Sequence, residues 1–249
     1  MGEPIETLDG WFVWHQLVTV DWPTWWAWPS ADRDAALAER VTLWEEWRAL
    51  EASHAGSVGV YAVAGDRADF LTIHLRPTLD ELIDLKASLQ KTKFYAVEQA
   101  RYAYISVVEL ATYVAKGNPD PDSNAELRAR LRPTLPPRHA VCFYPMSKRR
   151  QGEDNWYMTD RAVRAHLMRG HGAVGQKYSQ RVTQIISGSQ GLDDWEWGVT
   201  LLADDPIWFK KLVYEMRFDE ASARFAEFGP FFVGMRLDPR GWTQRLGER

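Results

Sequence analysis

The sequence is poor in the residues that mark secreted, membrane or disulfide-rich proteins. Cys142 is the only cysteine among 249 residues, so an internal disulfide and a cysteine-rich metal site are excluded. No run of about 18 apolar residues is present, so no membrane span is expected. The first ten residues, "MGEPIETLDG", contain no apolar segment typical of a secretory signal. These features together predict a cytoplasmic protein.

The sequence also lacks an excess of positive charge. It has 30 lysines and arginines against 34 aspartates and glutamates, which gives a net charge of -4 at pH 7. Proteins that bind nucleic acids usually carry a basic excess, so no nucleic-acid partner is expected. Tryptophan, in contrast, is abundant at 13 residues, several of them in "DWPTWWAWPS" over 21–30. We interpret this cluster as core packing rather than as a ligand-stacking surface.

The pattern of strands and helices repeats once along the chain. The first half predicts a strand over 10–22, a helix over 30–55, a hairpin around Gly65, a helix over 78–90 and a strand over 101–110. The second half predicts the same order over 139–148, 159–178, a hairpin around Gly191, 204–218 and 228–237. The predicted N-caps of the four helices are Ser30, Thr78, Thr159 and Asp205.

Two β-α-β-β-α-β units predict an α+β fold made of two ferredoxin-like repeats, packed face to face or closed into a barrel. The predicted boundaries are an N-terminal half over 1–115, a connecting loop over 116–137 and a C-terminal half over 138–249. The connecting loop is rich in proline, asparagine and aspartate, which is typical of an exposed connection.

The stretch "MRGHGAVGQKY" over 168–178 places a histidine among three glycines in a predicted helix. On that helix, one face is formed by Val163, Leu167, His171, Val174 and Tyr178. A glycine costs about 1 kcal/mol in a helix interior, so Gly170, Gly172 and Gly175 need an explanation. Two interpretations remain open here: a core histidine bonded to a backbone carbonyl, or a ligand to haem iron beside which the glycines clear space for a flat group.

Polar side chains also occupy positions that the strand pattern predicts to be buried. The strand over 139–148 places Cys142, Tyr144, Met146 and Lys148 on one face. Gln184 occupies a core-like position in the strand over 180–189, and Arg217 and Ser222 lie near the end of the helix predicted over 204–218. The alternatives are ordinary: a polar strand end for Lys148, a hydrogen-bonded core amide for Gln184, and surface charge for Arg217.

Four stretches resemble the chlorite dismutase superfamily, most closely its coproheme decarboxylases, the hydrogen-peroxide-dependent haem synthases of monoderm bacteria. These stretches are "CFYPMSKRRQGEDNWYM", "HGAVGQKY", "QIISGSQGLDDWEWGVTL" and "FKKLVYEMRFDEASARFAEFGPFFVG". The resemblance implies a dimeric α+β barrel within one chain and a homopentamer. It also implies that two propionates of iron coproporphyrin III (coproheme) are converted to vinyl groups by hydrogen peroxide, giving haem b through a three-propionate intermediate.

The resemblance also implies roles for individual residues. His171 matches the axial ligand of the haem iron, Tyr144 the tyrosine that becomes a radical, and Lys148 the lysine needed for the second decarboxylation. The matched substrate-binding positions are Arg130, Tyr144, Met146, Lys148, Gln184, Arg217 and Ser222. Trp156 and Trp195 match tryptophans near the pocket without an assigned role.

Gln184 bears on the choice of reaction within the superfamily. Chlorite dismutases have a distal arginine at this position, which retains oxyanions, and a neutral amide suits that task poorly. Chlorite chemistry is therefore the second candidate, and a haem-binding carrier or sensor without turnover is the third. Coproheme acts as both substrate and redox cofactor in the favoured interpretation, and coproporphyrin ferrochelatase is the candidate protein partner.

Overall fold

The computed structural model of the protein describes residues 4–112 and 120–247. The N-terminal half contains β1 (Thr7–Val20), α1 (Trp22–Ala27), α2 (Ser30–Ala52), β2 (Ser57–Val63), β3 (Phe70–Arg76), α3 (Leu79–Gln90), a 3₁₀ turn (Lys93–Val97) and β4 (Glu98–Ala111). The remainder contains α4 (Ala125–Leu131), β5 (Ala140–Lys148), β6 (Arg150–Gln151), β7 (Asp154–Asn155), α5 (Arg161–Lys177), β8 (Val182–Gly188), β9 (Trp197–Ala203), α6 (Ile207–Met216), α7 (Glu220–Phe225), β10 (Ala226–Phe228), β11 (Phe232–Leu237) and α8 (Pro239–Gly247).

Within the described residues, nine strands form one sheet in the order β10-β5-β11-β2-β3-β1-β4-β8-β9. An additional pairing between β5 and β9 closes the sheet into a barrel. Each half contributes four long strands, and the halves meet where β4 pairs with β8 and where β11 pairs with β2. The predicted α+β barrel of two ferredoxin-like units is therefore confirmed.

Strand alternation divides the buried side chains into a barrel interior and two outer layers. On β5, Val141 and Phe143 belong to the interior cluster, whereas Cys142 and Tyr144 belong to an outer cluster beneath α6. Successive residues of a strand point to opposite faces, so this separation follows directly from sequence position. The second outer layer lies under α2, α3 and α8 and contains the fully buried Trp25, which confirms the core interpretation of that tryptophan cluster.

Two of the four predicted N-caps, Thr78 and Asp205, cap their helices in the structure. The Thr78 side chain accepts from the Glu81 amide, and the Asp205 carboxylate accepts from the Ile207 amide. The prediction for Ser30 is wrong because this residue is already helical and follows Pro29, which makes no side-chain cap bond. The prediction for Thr159 is wrong by one residue, since the carboxylate of Asp160 accepts from the Ala162 amide.

The connecting loop predicted over 116–137 contains a helix that the sequence pattern did not reveal. Residues 116–119 lie outside the described part of the chain, and α4 occupies 125–131. This helix rests on β1 so closely that a Cβ at Gly10 would lie 1.9 Å from the Leu131 carbonyl oxygen. The domain boundaries themselves remain a prediction. None of the described helices is long and apolar enough to cross a membrane.

Candidate functional site

The two halves differ in how the first long helix packs against the barrel. In the N-terminal half, α2 packs on β2 and buries Trp44 and Trp47 in the outer layer. In the C-terminal half, α5 packs chiefly against α6 and α7, so its side chains do not fill the space over the strands. The corresponding face of β8 remains open, with Gln184 and Ile186 exposed. The C-terminal half therefore has room for a group between α5 and the sheet.

His171 lies on α5, and its imidazole is held by the carboxylate of Asp219, which precedes α7. Its Nδ1 is 2.8 Å from Oδ2 of Asp219, whose side chain is only 5% exposed. A carboxylate only accepts hydrogen bonds, so the imidazole proton lies on Nδ1 and the lone pair lies on Nε2. Among the described residues, Nε2 has no hydrogen-bond partner, and the side chain is one-third exposed. This is the usual arrangement of a histidine that binds a metal through its other nitrogen.

Asp219 joins His171 to the start of α7. Its carboxylate accepts from the amides of Ala221 and Ser222, which makes it the N-cap, and from the Ser222 hydroxyl at 2.6 Å. Partial burial raises the pKa of Asp219, but the hydrogen bonds from Ser222 and His171 outweigh it and hold the pKa below its ordinary value. The carboxylate therefore stays charged and polarises the imidazole.

The placement of Ser222 differs from a simple propionate anchor. Its side chain is buried and its hydroxyl hydrogen is donated to Asp219. A propionate would have to compete with Asp219 for that hydrogen, so a role for Ser222 in substrate binding stays a prediction.

The buried face of α5 differs from the predicted one at its first turn. Val163 is 46% exposed, whereas the neighbouring Arg164 is buried together with Leu167. The reason is that this part of the helix packs toward Trp156, Ala221 and Phe225, which shifts the contact face by one residue. The rest of the predicted face, from Leu167 through His171, is retained.

Tyr144 lies on β5 in an aromatic cluster. Its ring stacks on Phe231 with centroids 4.3 Å apart and tilts against Phe228 at 5.8 Å. Burial raises the pKa of the phenol far above its ordinary value, and the nearby Arg217 opposes the shift only in part. Because its pKa is raised, the phenol is protonated at neutral pH. Its hydroxyl has no hydrogen-bond partner among the described residues, so it is free to act on a bound group.

Lys148 is buried, so it does not belong to a solvent-exposed polar end of β5. Its ammonium lies 4.5 Å from the Trp156 ring centroid and 3.3 Å from the Ala221 carbonyl oxygen. Burial lowers the pKa of Lys148 to about 8, although the charges of Asp219 and Glu196 act in the opposite direction. A cation is therefore placed beside the His171–Asp219 pair.

Gln184 occupies an exposed position, and the prediction of a core-like position is wrong. Its strand is not covered by α5, because that helix packs on other helices. A Cβ at Gly175 would lie 3.4 Å from Nε2 of Gln184 and 3.5 Å from Cε of Met216. The amide therefore reaches toward α5 one turn beyond His171. Gly170 and Gly172 face open space, with no atom within 4 Å of an added Cβ.

Two of the predicted anchors are arginines, and the structure places them differently. Arg217 lies 3.7 Å from the Phe228 ring centroid and makes no ion pair with a described residue, so its charge is available beside the Tyr144 cluster. Arg130 is exposed on α4, which packs on β1 and β4. No contact among the described residues brings Arg130 to the group around His171, so its role stays a prediction.

The sequence interpretation missed a tryptophan on the same sheet face. Trp197 pairs directly with Met146 across β5 and β9, so both side chains share the face that carries Tyr144. Its indole donates to Oε1 of Glu109 at 2.8 Å, and Gly188 leaves the space that this carboxylate occupies. Trp195 packs instead against the barrel-interior cluster. The strand period could have identified Trp197, since it alternates in β9 with Val199 and Leu201, which belong to the same outer cluster as Tyr144.

The residues present fit an iron porphyrin with several carboxylates. A single imidazole with a free Nε2 suits an axial ligand, and the described residues bring together no group of three or more side chains able to hold a metal ion by themselves. Lys148 and Arg217 supply positive charge for carboxylates. The exposed Gln184 and Ile186 leave this face of β8 accessible to a ligand.

Comparison with known proteins gives consistent findings. A family model described as chlorite dismutase matches residues 33–237. Two proteins named coproheme decarboxylase, from two strains of Thermus thermophilus, are each 48% identical over 245 residues, covering 98% of this chain and 97% of theirs.

The solved structures agree. A protein described as a novel heme-binding protein from Thermus thermophilus superposes with a TM-score of 0.93 at 48% identity, covering 100% of this chain and 99% of that one. Chlorite dismutase from Candidatus Nitrospira defluvii in complex with imidazole gives a TM-score of 0.77 at 20% identity, with 96% of each chain covered. This second likeness concerns the fold alone.

Proposed function

The chain belongs to the chlorite dismutase family, and from this premise we propose that it is a coproheme decarboxylase that converts coproheme to haem b with hydrogen peroxide. Each propionate removed consumes one hydrogen peroxide and one proton, and yields one vinyl group, one carbon dioxide and two waters. The relatives named coproheme decarboxylase support this assignment over nearly the whole chain.

The observation that carries the proposal is the grouping of five side chains around the turn between α6 and α7. Asp219 binds His171, Lys148 lies beside Asp219, and Arg217 lies beside the cluster that contains Tyr144. A metal ligand, two cations and a buried phenol on facing elements match the needs of a carboxylate-bearing iron porphyrin. A simple haem carrier needs only the first of these.

Each side chain has a defined task in this proposal. His171 holds the iron through Nε2, while Asp219 fixes the imidazole proton on Nδ1. Bound coproheme supplies the iron at which peroxide is reduced. Tyr144, kept protonated by burial, would pass a hydrogen atom to the oxidant formed from peroxide and would take one from the β-carbon of a propionate. The second electron would go to the same oxidant as carbon dioxide leaves. Lys148 and Arg217 orient the propionates by charge, and Lys148 is assigned to the second decarboxylation.

Chlorite chemistry is the second candidate and is less well supported. Its oxyanion substrate would need a cation at the distal position that the resemblance assigns to residue 184, and this chain has the neutral amide of Gln184 there. The likeness to the chlorite dismutase structure at about one-fifth identity concerns the fold alone.

The assignment is tested by incubating the protein with ferric coproheme and hydrogen peroxide and following the products by mass spectrometry. We expect haem b, preceded by a three-propionate species. Tyr144→Phe should bind coproheme normally and produce neither species, whereas Tyr95→Phe, a control in the N-terminal half, should behave as wild type. Bleaching of unchanged coproheme by the wild type would contradict the proposal, and normal turnover by Tyr144→Phe would remove Tyr144 from its role.

The proposal extends to the assembly and the partners that the resemblance implies. We expect a homopentamer in the cytoplasm that receives coproheme from a coproporphyrin ferrochelatase. Support for these expectations is the family membership, and each can be examined with the purified proteins.

A further inference from the structure

The outer layer under α2, α3 and α8 encloses a small cavity. Its floor lies on the paired strands β1 and β3 and its roof on α2 and α8. The floor includes Gln16, Thr72 and His74, and the roof includes Arg40, Trp47 and Trp242. None of the residues assigned to the porphyrin lines this cavity, so it is separate from the group around His171.

Three of the lining residues carry buried polar atoms without partners. Both ring nitrogens of His74, Nε of Arg40 and Nε1 of Trp242 have no hydrogen-bond partner among the described residues. The His74 side chain is 0% exposed. Buried polar groups in native proteins nearly always have a partner, because a group without one loses its contacts with water and gains nothing in return. Four such atoms around one cavity therefore indicate a polar ligand.

Aromatic side chains fix the orientation of the His74 imidazole. Trp14 stacks on this ring with centroids 5.7 Å apart, and Trp47 meets it almost at a right angle with centroids 4.9 Å apart. The imidazole is therefore held rigidly between α2 and the sheet, and a ligand must come to its nitrogens.

The size of the cavity restricts what the ligand can be. The centre of a water molecule can move within about 20 Å³ there, and one buried water needs roughly 10–15 Å³. The cavity therefore has room for one water molecule and is too small for an organic ligand.

The charges around the cavity favour a neutral ligand. Nη2 of Arg40 lies 2.6 Å from Oε2 of Glu98, and both side chains are less than a tenth exposed, so this pair adds no net charge. Burial lowers the pKa of His74, and the guanidinium groups of Arg76 and Arg40 lower it further. A neutral imidazole has one N–H donor and one accepting nitrogen, and neither requires an ion.

We propose that a single ordered water occupies this cavity and joins His74 on β3 to Arg40 on α2 and Trp242 on α8. Its oxygen accepts hydrogen bonds from Nε of Arg40 and Nε1 of Trp242, and it donates one to the unprotonated nitrogen of His74. Three hydrogen bonds are typical of a buried water. The water ties two helices to the sheet in a layer that is packed mainly through apolar side chains.

This water site does not depend on the proposed chemistry, because its residues are distinct from those assigned to the porphyrin. Loss of the water should leave coproheme binding unchanged. A failure of the decarboxylase assignment would leave the water site untouched.

The test is a set of high-resolution crystal structures of the full chain. In the wild type we expect one water within hydrogen-bond distance of His74, Arg40 and Trp242. His74→Phe should lose this water, because a phenyl ring offers it no nitrogen. His74→Gln should keep it, because the amide oxygen can accept its hydrogen bond. His139→Phe makes the same change at an exposed position and should also keep it.

Circular dichroism and coproheme titration of each variant check that the fold and the porphyrin site are retained. A wild-type structure without this water would overturn the proposal, whether or not any variant folds. So would an ion or a larger molecule in the cavity, or a His74→Phe structure that retains the water on the same partners.

Discussion

Asp219 has two separable tasks, since its carboxylate both holds His171 and caps α7. An asparagine is as good an N-cap as an aspartate, but it lacks the charge that polarises the imidazole. Substitutions at this single residue therefore distinguish the two tasks.

Asp219→Asn should leave the free energy of unfolding nearly unchanged and weaken coproheme binding by roughly 10–100-fold, the usual cost of losing a carboxylate behind a metal-binding histidine. The iron–imidazole stretching frequency of the reduced complex should fall. Asp219→Ala should in addition lose about 1 kcal/mol of stability with its cap. Asp160→Asn, at the start of α5, is the control; wild-type affinity and frequency in Asp219→Asn would contradict the assignment.

Lys148 should give the protein a measurable dependence of stability on pH. Burial lowers the pKa of this lysine from 10.5 to about 8, so between these values the unfolded chain keeps a proton that the native protein has released. The contribution of Lys148 to the free energy of unfolding therefore rises as the pH increases between these two values. Compared with Lys148→Met, wild type should gain up to roughly 3 kcal/mol as the pH increases from about 7 toward the ordinary lysine pKa.

Urea unfolding at several pH values measures this difference, with Lys86→Met on the exposed face of α3 as the control variant. A constant difference between wild type and Lys148→Met over the whole range would show that Lys148 is not buried as described.

Among the elements, α5 contains three glycines, and the position of His171 accounts for only one of them. Residues four apart on a helix lie on the same side, so Gly175 shares the side of His171, whereas Gly170 and Gly172 point about 100° to either side. The hypothesis that glycines clear space for a macrocycle therefore applies best to Gly175, where Gln184 and Met216 approach the helix.

Gly175→Ala should weaken coproheme binding roughly tenfold or more, because its methyl group would narrow an already occupied space. Gly170→Ala and Gly172→Ala should each stabilise the protein by up to about 1 kcal/mol, since a Cβ meets nothing there and alanine favours the helix, and should retain affinity. Titration with coproheme and thermal unfolding measure both effects. If all three variants bind alike, Gly175 has no special role.

The long elements were predictable from local pattern, and the short ones were not. Strand alternation placed Tyr144, Met146 and Lys148 on one face, and the structure confirms it. Helices α1, α4 and α7 have six or seven residues, which is too short for a helical period to stand out. Their positions depend on tertiary contacts, such as α4 resting on Gly10.

In the whole molecule, the two halves share one barrel interior and are joined by strand pairing at two places. The interior cluster contains Leu17, Leu71, Phe143 and Leu202 from both halves, and β4 pairs with β8 across the boundary. Neither half can bury its inner sheet face alone, so the two repeats should unfold together.

Thermal unfolding of the intact chain should show one transition, and a fragment of residues 120–247 should neither fold cooperatively nor bind coproheme, because it exposes unpaired strand edges and the interior face. Calorimetry and circular dichroism test both points. Two separate transitions, or a fragment with native-like spectra and binding, would show that the halves are independent.

The amino-acid sequence was sufficient to predict the duplicated order of strands and helices, the polar face of β5 and the family resemblance, which the family model and the relatives confirm. These follow from local periodicity and from motifs contiguous in the chain. The folded barrel was needed to show that Asp219 binds His171, that Glu109 accepts a hydrogen bond from Trp197 and that Arg130 lies on a separate element. Such contacts join residues 48 and 88 positions apart, and no local pattern encodes which distant side chains a closed barrel brings together.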